Sequence, residues 1–238
     1  MKQIILNHID VEIWNNLHVQ FQPHSDVNII MGSNGSGKTT FLRNLYLSLA
    51  EDKESKDHII YLPSIDNIAL RDKRKTSNAL SQELDYYIYD MKTGPSLMNL
   101  RMSMLDSSEE KRIEMKAKIA DFQKIINDFF AITGKRIEIE GSKFSVLTDT
   151  GVLPVEALSS GEKQILLILL RVFLLNGNEA IVMIDEPTYS LDIEWQFKLV
   201  TMLTHLNNKA QYFIASLSPA LFGKGWGDKV WYMDQITK

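Results

Sequence analysis

The chain has 238 residues, 45% of them hydrophobic, a formal net charge of -4 and no cysteine. This length supports one substantial core plus a subsidiary lobe, and the mild acidity argues against a uniformly basic nucleic-acid-coating surface while leaving room for a local patch, so nucleic acid stays open as a partner. Without cysteine there are no disulfides, thiol nucleophiles or thiolate metal sites, which fits a cytoplasmic protein, and His8, His18, His24, His58 and His205 show no zinc-ligand spacing.

The N-terminus, Met1 to His8, has too short an apolar stretch for a signal peptide, and no segment approaches the ~18 apolar residues of a membrane span, so no membrane insertion is expected. Ile4, Leu6, Ile9, Val11 and Ile13 alternate with polar residues, as do Leu17, Val19 and Phe21, which predicts two antiparallel strands. Residues 28 to 31 form an apolar strand running into Gly32-Ser33-Asn34-Gly35-Ser36-Gly37-Lys38-Thr39, a complete GxxxxGK[ST] phosphate loop, and Thr39 to Leu45 leaves it with helical spacing. Gly32, Gly35 and Gly37 let the backbone wrap closely round an anion, and the amides from Ser33 to Thr40 point at it with the positive end of the helix dipole. Lys38 then reaches the β- and γ-phosphates and the Thr39 hydroxyl completes the coordination of a magnesium ion, so a magnesium nucleotide is the implied ligand.

Glu51 to Asp57 reads as a charged linker and Ile59 to Leu62 as a short strand. Arg71, Lys73, Arg74 and Lys75 form a basic run read as a solvated loop. Residues 69 to 134 read as a helical lobe: Ser107 and Glu110 form a capping box, Ile119, Phe122, Ile126, Phe129 and Phe130 recur at three- and four-residue steps, and Gly134 ends the helix. Ile137, Ile139, Phe144 and Val146 suggest a hairpin around Gly141-Ser142. Ser159 and Glu162 form a second capping box ahead of the apolar helix Ile165 to Leu175, which Arg171 marks as a core helix rather than a membrane span. The run from Ile181 to Ile184 has the composition of a strand buried on both faces and ends in Asp185, Glu186 and Pro187. At that carboxyl end Asp185 can face the magnesium and Glu186 can polarise the water that attacks the γ-phosphate. A helix over Trp195 to Leu206 and strands at Gln211 to Ala215 and Lys229 to Met233 complete an α/β pattern without internal repeats.

In this order, the phosphate loop, Leu158 to Gln164, Ile181 to Pro187 and Ser190-Leu191-Asp192 resemble the phosphate loop, signature, acidic strand and D-loop of ABC-type ATPases, over nearly the whole chain. Asn34 to Thr39, Ile60 to Pro63, the Ser-Ser-Gly-Glu signature and Glu194-Trp195-Gln196 resemble the soluble, non-transporter group that includes RecF, OLD and SMC-like proteins. The resemblance implies a single ABC-type ATPase domain over 1–238, a P-loop NTPase with a mixed, mostly parallel sheet, flanking helices and the lobe at 69–134. That lobe is too short for the long coiled-coil arms of SMC-like proteins. The resemblance also implies ATP and Mg2+ as cofactors and an ATP-induced, head-to-tail homodimer. In it Lys38 and Glu186 are catalytic, Thr39 and Asp185 hold the metal, and Ser159, Ser160, Gly161, Glu162 and Asp192 meet the nucleotide from a facing subunit. Strands like the first two cover one side of the nucleotide in such relatives, which makes Trp14 either an adenine-stacking residue or a buried aromatic.

Two positions depart from the family pattern. Leu217 replaces the usual switch histidine, and Ser64 stands where transporters carry a glutamine. Slow hydrolysis follows, with Ser216 or Ser218 as partial substitutes for the histidine. The implied role is the ATPase subunit of a DNA-maintenance or anti-phage defence complex with a separately encoded effector. The alternatives are a nucleotide-binding subunit of a transporter and an ATP-gated binding protein with negligible turnover.

Overall fold

The computed structural model describes residues 4–51, 58–92, 94–140 and 143–238. In chain order the elements open with β1 (Ile9–Trp14), β2 (Leu17–Phe21), β3 (Val27–Met31), α1 (Lys38–Ala50) and β4 (Ile59–Leu62). There follow α2 (Ala79–Tyr89), α3 (Leu97–Leu105), α4 (Glu109–Phe130), β5 (Arg136–Glu140), β6 (Lys143–Thr148), β7 (Gly151–Leu153) and α5 (Ser160–Phe173). The chain closes with β8 (Ala180–Asp185), α6 (Ile193–Leu206), β9 (Ala210–Ser216), β10 (Val230–Tyr232) and α7 (Met233–Ile236). They divide into two compact units, one made of residues up to Asn67 together with Leu175–Lys238, the other of Ile68–Leu174.

The first unit is built on a five-stranded sheet of order β10-β3-β9-β8-β4 in which every pairing is parallel. Every residue of β3, β8 and β9 is buried, as strands covered on both faces require. Period-two alternation sends Ile30, Ile181, Met183, Phe213 and Ala215 into one core with Phe41, Leu42 and Leu45 of α1. The opposite face carries Tyr212, whose hydroxyl lies 2.7 Å from the Leu203 carbonyl of α6. The antiparallel strands form a separate pair: β1 and β2 align Ile9 with Phe21 and join through Asn15 and Asn16, both at positive φ as a tight hairpin turn demands.

In the second unit α4 turns Ile119, Phe122, Ile125, Ile126, Phe129 and Phe130 inward, with Phe122 stacked on Phe173 of α5 at 4.2 Å. The antiparallel sheet β5-β6-β7 belongs to the same unit, which therefore extends beyond the 69–134 lobe to Leu174. Gly134, at φ 66, stops α4 after a 3-10 turn over Ala131–Thr133. The cap of α4 corrects the sequence reading. Ser108, not Ser107, accepts the first-turn amide, from Lys111, because the Ser107 hydroxyl donates instead to the Ser103 carbonyl at the end of α3. The basic run is an exposed loop, as read, in which Arg71 pairs with Glu83 at 2.8 Å and lies 3.5 Å over the Tyr86 ring, and Arg74 pairs with Asp72. The hairpin tip at Gly141-Ser142 and most of the linker, residues 52–57, lie outside the described residues. Among the described residues no helix is long and apolar enough to cross a membrane.

Candidate functional site, a phosphate-binding pocket

The loop between β3 and α1 takes its shape from its glycines. Gly35 and Gly37 sit at φ 77 and 95, and a Cβ on Gly32 would come within 2.6 Å of the Ser36 hydroxyl and 3.0 Å of Met233 Cβ. Gly37 caps α1 while Ile13 and Trp14 press against it, a Cβ there meeting Ile13 Cδ1 at 3.0 Å. Lys38 is buried, and its ammonium curls back to donate to the carbonyls of Gly32 (2.8 Å) and Ser33 (3.2 Å).

Asp185 ends β8 opposite the start of α1, and the Thr39 hydroxyl donates to its Oδ1 at 3.1 Å. The other carboxylate oxygen, Oδ2, is buried with no hydrogen-bond partner, as is the Ser36 hydroxyl. Burial raises the Asp185 pKa, and the neighbouring Glu186 charge adds to this, while the Thr39 hydrogen bond and Lys38 oppose it. An orphaned anionic oxygen beside a threonine hydroxyl is the environment that a bound divalent cation relieves, so the residues present fit magnesium.

Glu186 follows at φ 46, a left-handed conformation that a non-glycine residue holds only under constraint. Its amide donates to the Ala215 carbonyl at 2.9 Å. One carboxylate oxygen lies 3.5 Å from the Lys38 ammonium and the other accepts the Leu217 backbone amide at 3.2 Å. The Leu217 side chain is 45% exposed. Both nearby serine hydroxyls are engaged: Ser216 is fully buried with its hydroxyl 2.8 Å from that of Thr188, and the Ser218 hydroxyl donates to Gln196 at 2.6 Å.

Asn34 to Thr40 and Glu186 line an open cavity of about 340 Å³, with Asp185 behind Thr39. Its mouth adds Trp14, Ser64, Ile65, Asp66, Tyr189 and Leu217, of which sequence reasoning missed Ile65, Asp66 and Tyr189. Ser64 accepts a hydrogen bond from the Asn67 side chain at 2.8 Å. Trp14 is 44% exposed, so the buried-aromatic reading does not hold. It falls out of phase with Ile9, Val11 and Ile13, the alternation that could have placed it on the outer face.

The signature segment belongs to the second unit. Ser159 caps α5 in a full capping box, accepting the Glu162 amide while the Glu162 carboxylate accepts the Ser159 amide at 2.7 Å. Lys135, beyond the end of α4, places its ammonium 2.8 Å from both Glu162 oxygens. Burial works against the Glu162 charge, yet Lys135 and the Ser159 amide hold its pKa below the ordinary value. Glu162 is thus turned inward and 1% exposed, whereas Ser159 and Ser160 are exposed at the helix end and Gly161 is buried. Its carboxylate organises the helix terminus and does not face outward with the two serines. Asp192 caps α6, its Oδ1 accepting the Glu194 amide at 2.9 Å, a helix start that the D-loop reading left unassigned.

The comparisons agree with this architecture. The model of the RecF/RecN/SMC N terminal domain matches residues 5–235. The DNA replication and repair protein RecF of Nitrosococcus oceani is 44% identical over 43 residues, a match covering 18% of this chain and 12% of that protein. An SMC head bound to the C-winged helix domain of ScpA superposes with TM-score 0.56 at 13% identity, over 91% of this chain and 90% of that one. A putative ABC transporter ATP-binding protein from Pyrococcus furiosus gives 0.55 at 17% identity, over 98% of both chains. At these identities the likeness in structure establishes the fold, a parallel α/β sheet with flanking helices. Because the family model spans nearly all of the sequence, the chain belongs to the RecF/RecN/SMC N-terminal-domain family.

Proposed function

We propose that the chain binds Mg-ATP in this cavity and hydrolyses it slowly within a composite site that a second copy closes. The observation that carries the reading is the unpartnered Asp185 oxygen beside Thr39 and the phosphate loop. On binding, the Lys38 ammonium leaves the Gly32 and Ser33 carbonyls for the β- and γ-phosphates. Thr39 and Asp185 would hold the magnesium, which supplies charge neutralisation on the phosphates. Glu186 accepts the proton of the attacking water, oriented by the Leu217 amide. Exposed Tyr189, Ile193 and Leu217 supply apolar surface beside the pocket and the D-loop, suited to a partner copy that brings Ser160 and Gly161 over the γ-phosphate. Resemblance to the RecF, OLD and SMC-like group supports a place in a DNA-maintenance or defence complex whose effector is separately encoded. Co-purification with the neighbouring gene products, with and without ATP, tests that assignment, and their absence from both preparations rejects it.

Slow turnover follows from Leu217, whose side chain offers the phosphate no hydrogen bond; losing one such donor costs about a hundred-fold in rate. The unassisted protein is therefore expected to release phosphate well below the ~10 per second of a median enzyme, and its sedimentation should show a dimer only with Mg-ATP. Rapid turnover by a strict monomer contradicts the reading. The same apolar side chain favours a second reading, an ATP-gated binding protein with negligible hydrolysis, and phosphate release separates the two.

Trp14, exposed at the rim and packed on Gly37, is assigned to the adenine ring. Stacking of a base on an aromatic contributes about 1–3 kcal/mol. Trp14→Ala should weaken ATP binding about ten-fold in calorimetry while leaving inorganic triphosphate binding unchanged. Equal losses for both ligands would place the ring elsewhere.

A further inference from the structure

Gln196, in the first turn of α6, makes three polar contacts that serve neither the helix nor the core. Its amide nitrogen donates to the Leu191 carbonyl at 2.8 Å and lies 3.4 Å from that of Thr188, and its amide oxygen accepts the Ser218 hydroxyl at 2.6 Å. The Ser218 amide donates to the buried Ser216 hydroxyl at 3.0 Å, and that hydroxyl is 2.8 Å from Thr188 Oγ1. The contacts form a closed ring, from Gln196 to the Ser218 hydroxyl, from the Ser218 amide to the Ser216 hydroxyl, and on to Thr188 and back. Leu217 sits between the two serines, and its amide meets one Glu186 carboxylate oxygen while Lys38 faces the other.

The ring fixes the 216–218 turn from both ends, and this turn has no imidazole to anchor it in the pocket. A short polar turn of this kind keeps its amide aimed only while its side-chain bonds are complete. We propose that Gln196 is a positioning residue for hydrolysis: by tying the 188–191 turn to Ser218, it aims the Leu217 amide at Glu186 and sets the general base. The inference rests on the ATPase reading above and adds to it a residue that touches neither nucleotide nor metal.

Gln196→Met keeps length and volume but deletes every bond of the ring that runs through residue 196. The expected result is a fall in kcat of ten-fold or more, with ATP Kd within two-fold of wild type and the Mg-ATP-dependent dimer still formed in sedimentation. A merely structural role would weaken binding, dimerisation and turnover together, and that outcome overturns the proposal. Ser218→Ala, which removes the hydroxyl that meets Gln196 together with the bond it accepts from the Ala220 amide, should lower kcat in the same way. The double variant should be no slower than the worse single one, whereas independent, multiplying losses contradict a single ring. Glu186→Gln runs alongside. If it hydrolyses ATP like wild type, the ATPase reading fails and this inference with it. If it is inactive while Gln196→Met keeps full kcat, the inference alone fails.

Discussion

Glu186→Gln is expected to reduce phosphate release by about 10²–10⁴-fold, the usual contribution of a positioned general base, while ATP affinity changes little. The substitution is isosteric, and its amide oxygen can still accept the Leu217 amide that now holds the carboxylate at 3.2 Å, so the left-handed turn at residue 186 should persist. The nucleotide then stays bound and the Mg-ATP dimer accumulates. Nucleotide affinity and dimer affinity are reciprocally linked in a shared site, so the variant should bind ATP more tightly as its own concentration rises. Single-turnover phosphate release, together with sedimentation across a protein titration, checks both statements. Wild-type turnover, or a variant that stays monomeric with ATP at high concentration, contradicts them.

Lys135→Met is expected to produce the largest loss of stability. Glu162 is 1% exposed, and the Lys135 ammonium is the cation that meets both its oxygens. Removing one partner of a buried pair costs about 3–5 kcal/mol when the remaining charge is left without compensation, and because the Ser159 amide still meets Glu162 the loss should lie at the low end, about 3 kcal/mol. For a chain of this length that corresponds to a fall of roughly 10 °C in Tm. The pH dependence has a definite sign. The folded Glu162 pKa lies below its ordinary value, so its stabilisation is complete above the unfolded-state carboxylate pKa of about 4.3 and is lost as pH falls through the depressed folded value. The gap in Tm between wild type and Lys135→Met should therefore be widest near neutral pH and close in acid. Lys135→Met combined with Glu162→Gln should recover part of the loss at pH 7. Thermal melts between pH 3 and 7 measure this, and a constant gap across that range contradicts the account.

Local chemistry was the most readable layer of the sequence. The phosphate loop sets its glycines, a lysine and a threonine at fixed spacing within eight residues, and the parallel strands need uninterrupted apolar runs, so each pattern survives intact in one short window. The strand at Ile59–Leu62 has the bounds read from the sequence, and the strand entering the loop gains only Val27. The capping box at Ser159 and Glu162 forms as its spacing requires. What escaped was whatever depended on distant partners. Glu162 reads locally as a helix cap, and nothing in its neighbourhood announces that Lys135, 27 positions away, turns its carboxylate inward. Gln196 reads as one more polar residue on an amphipathic helix until Ser218, 22 positions on, closes against it. Ser107 and Ser108 compete for one helix start, and the choice falls to whichever hydroxyl the preceding helix has not already used.

Since the chain has no cysteine of its own, two introduced thiols report on a single distance. The most direct test of the shared site mixes two versions of the Glu186→Gln protein, one carrying Asn34→Cys in the exposed part of the phosphate loop and the other Ser160→Cys at the exposed end of α5. Under mild oxidation, disulfide-linked heterodimer should form with Mg-ATP and not with ADP or without nucleotide. No linkage with Mg-ATP, or the same yield without nucleotide, would contradict closure of one copy's triphosphate by the signature helix of another.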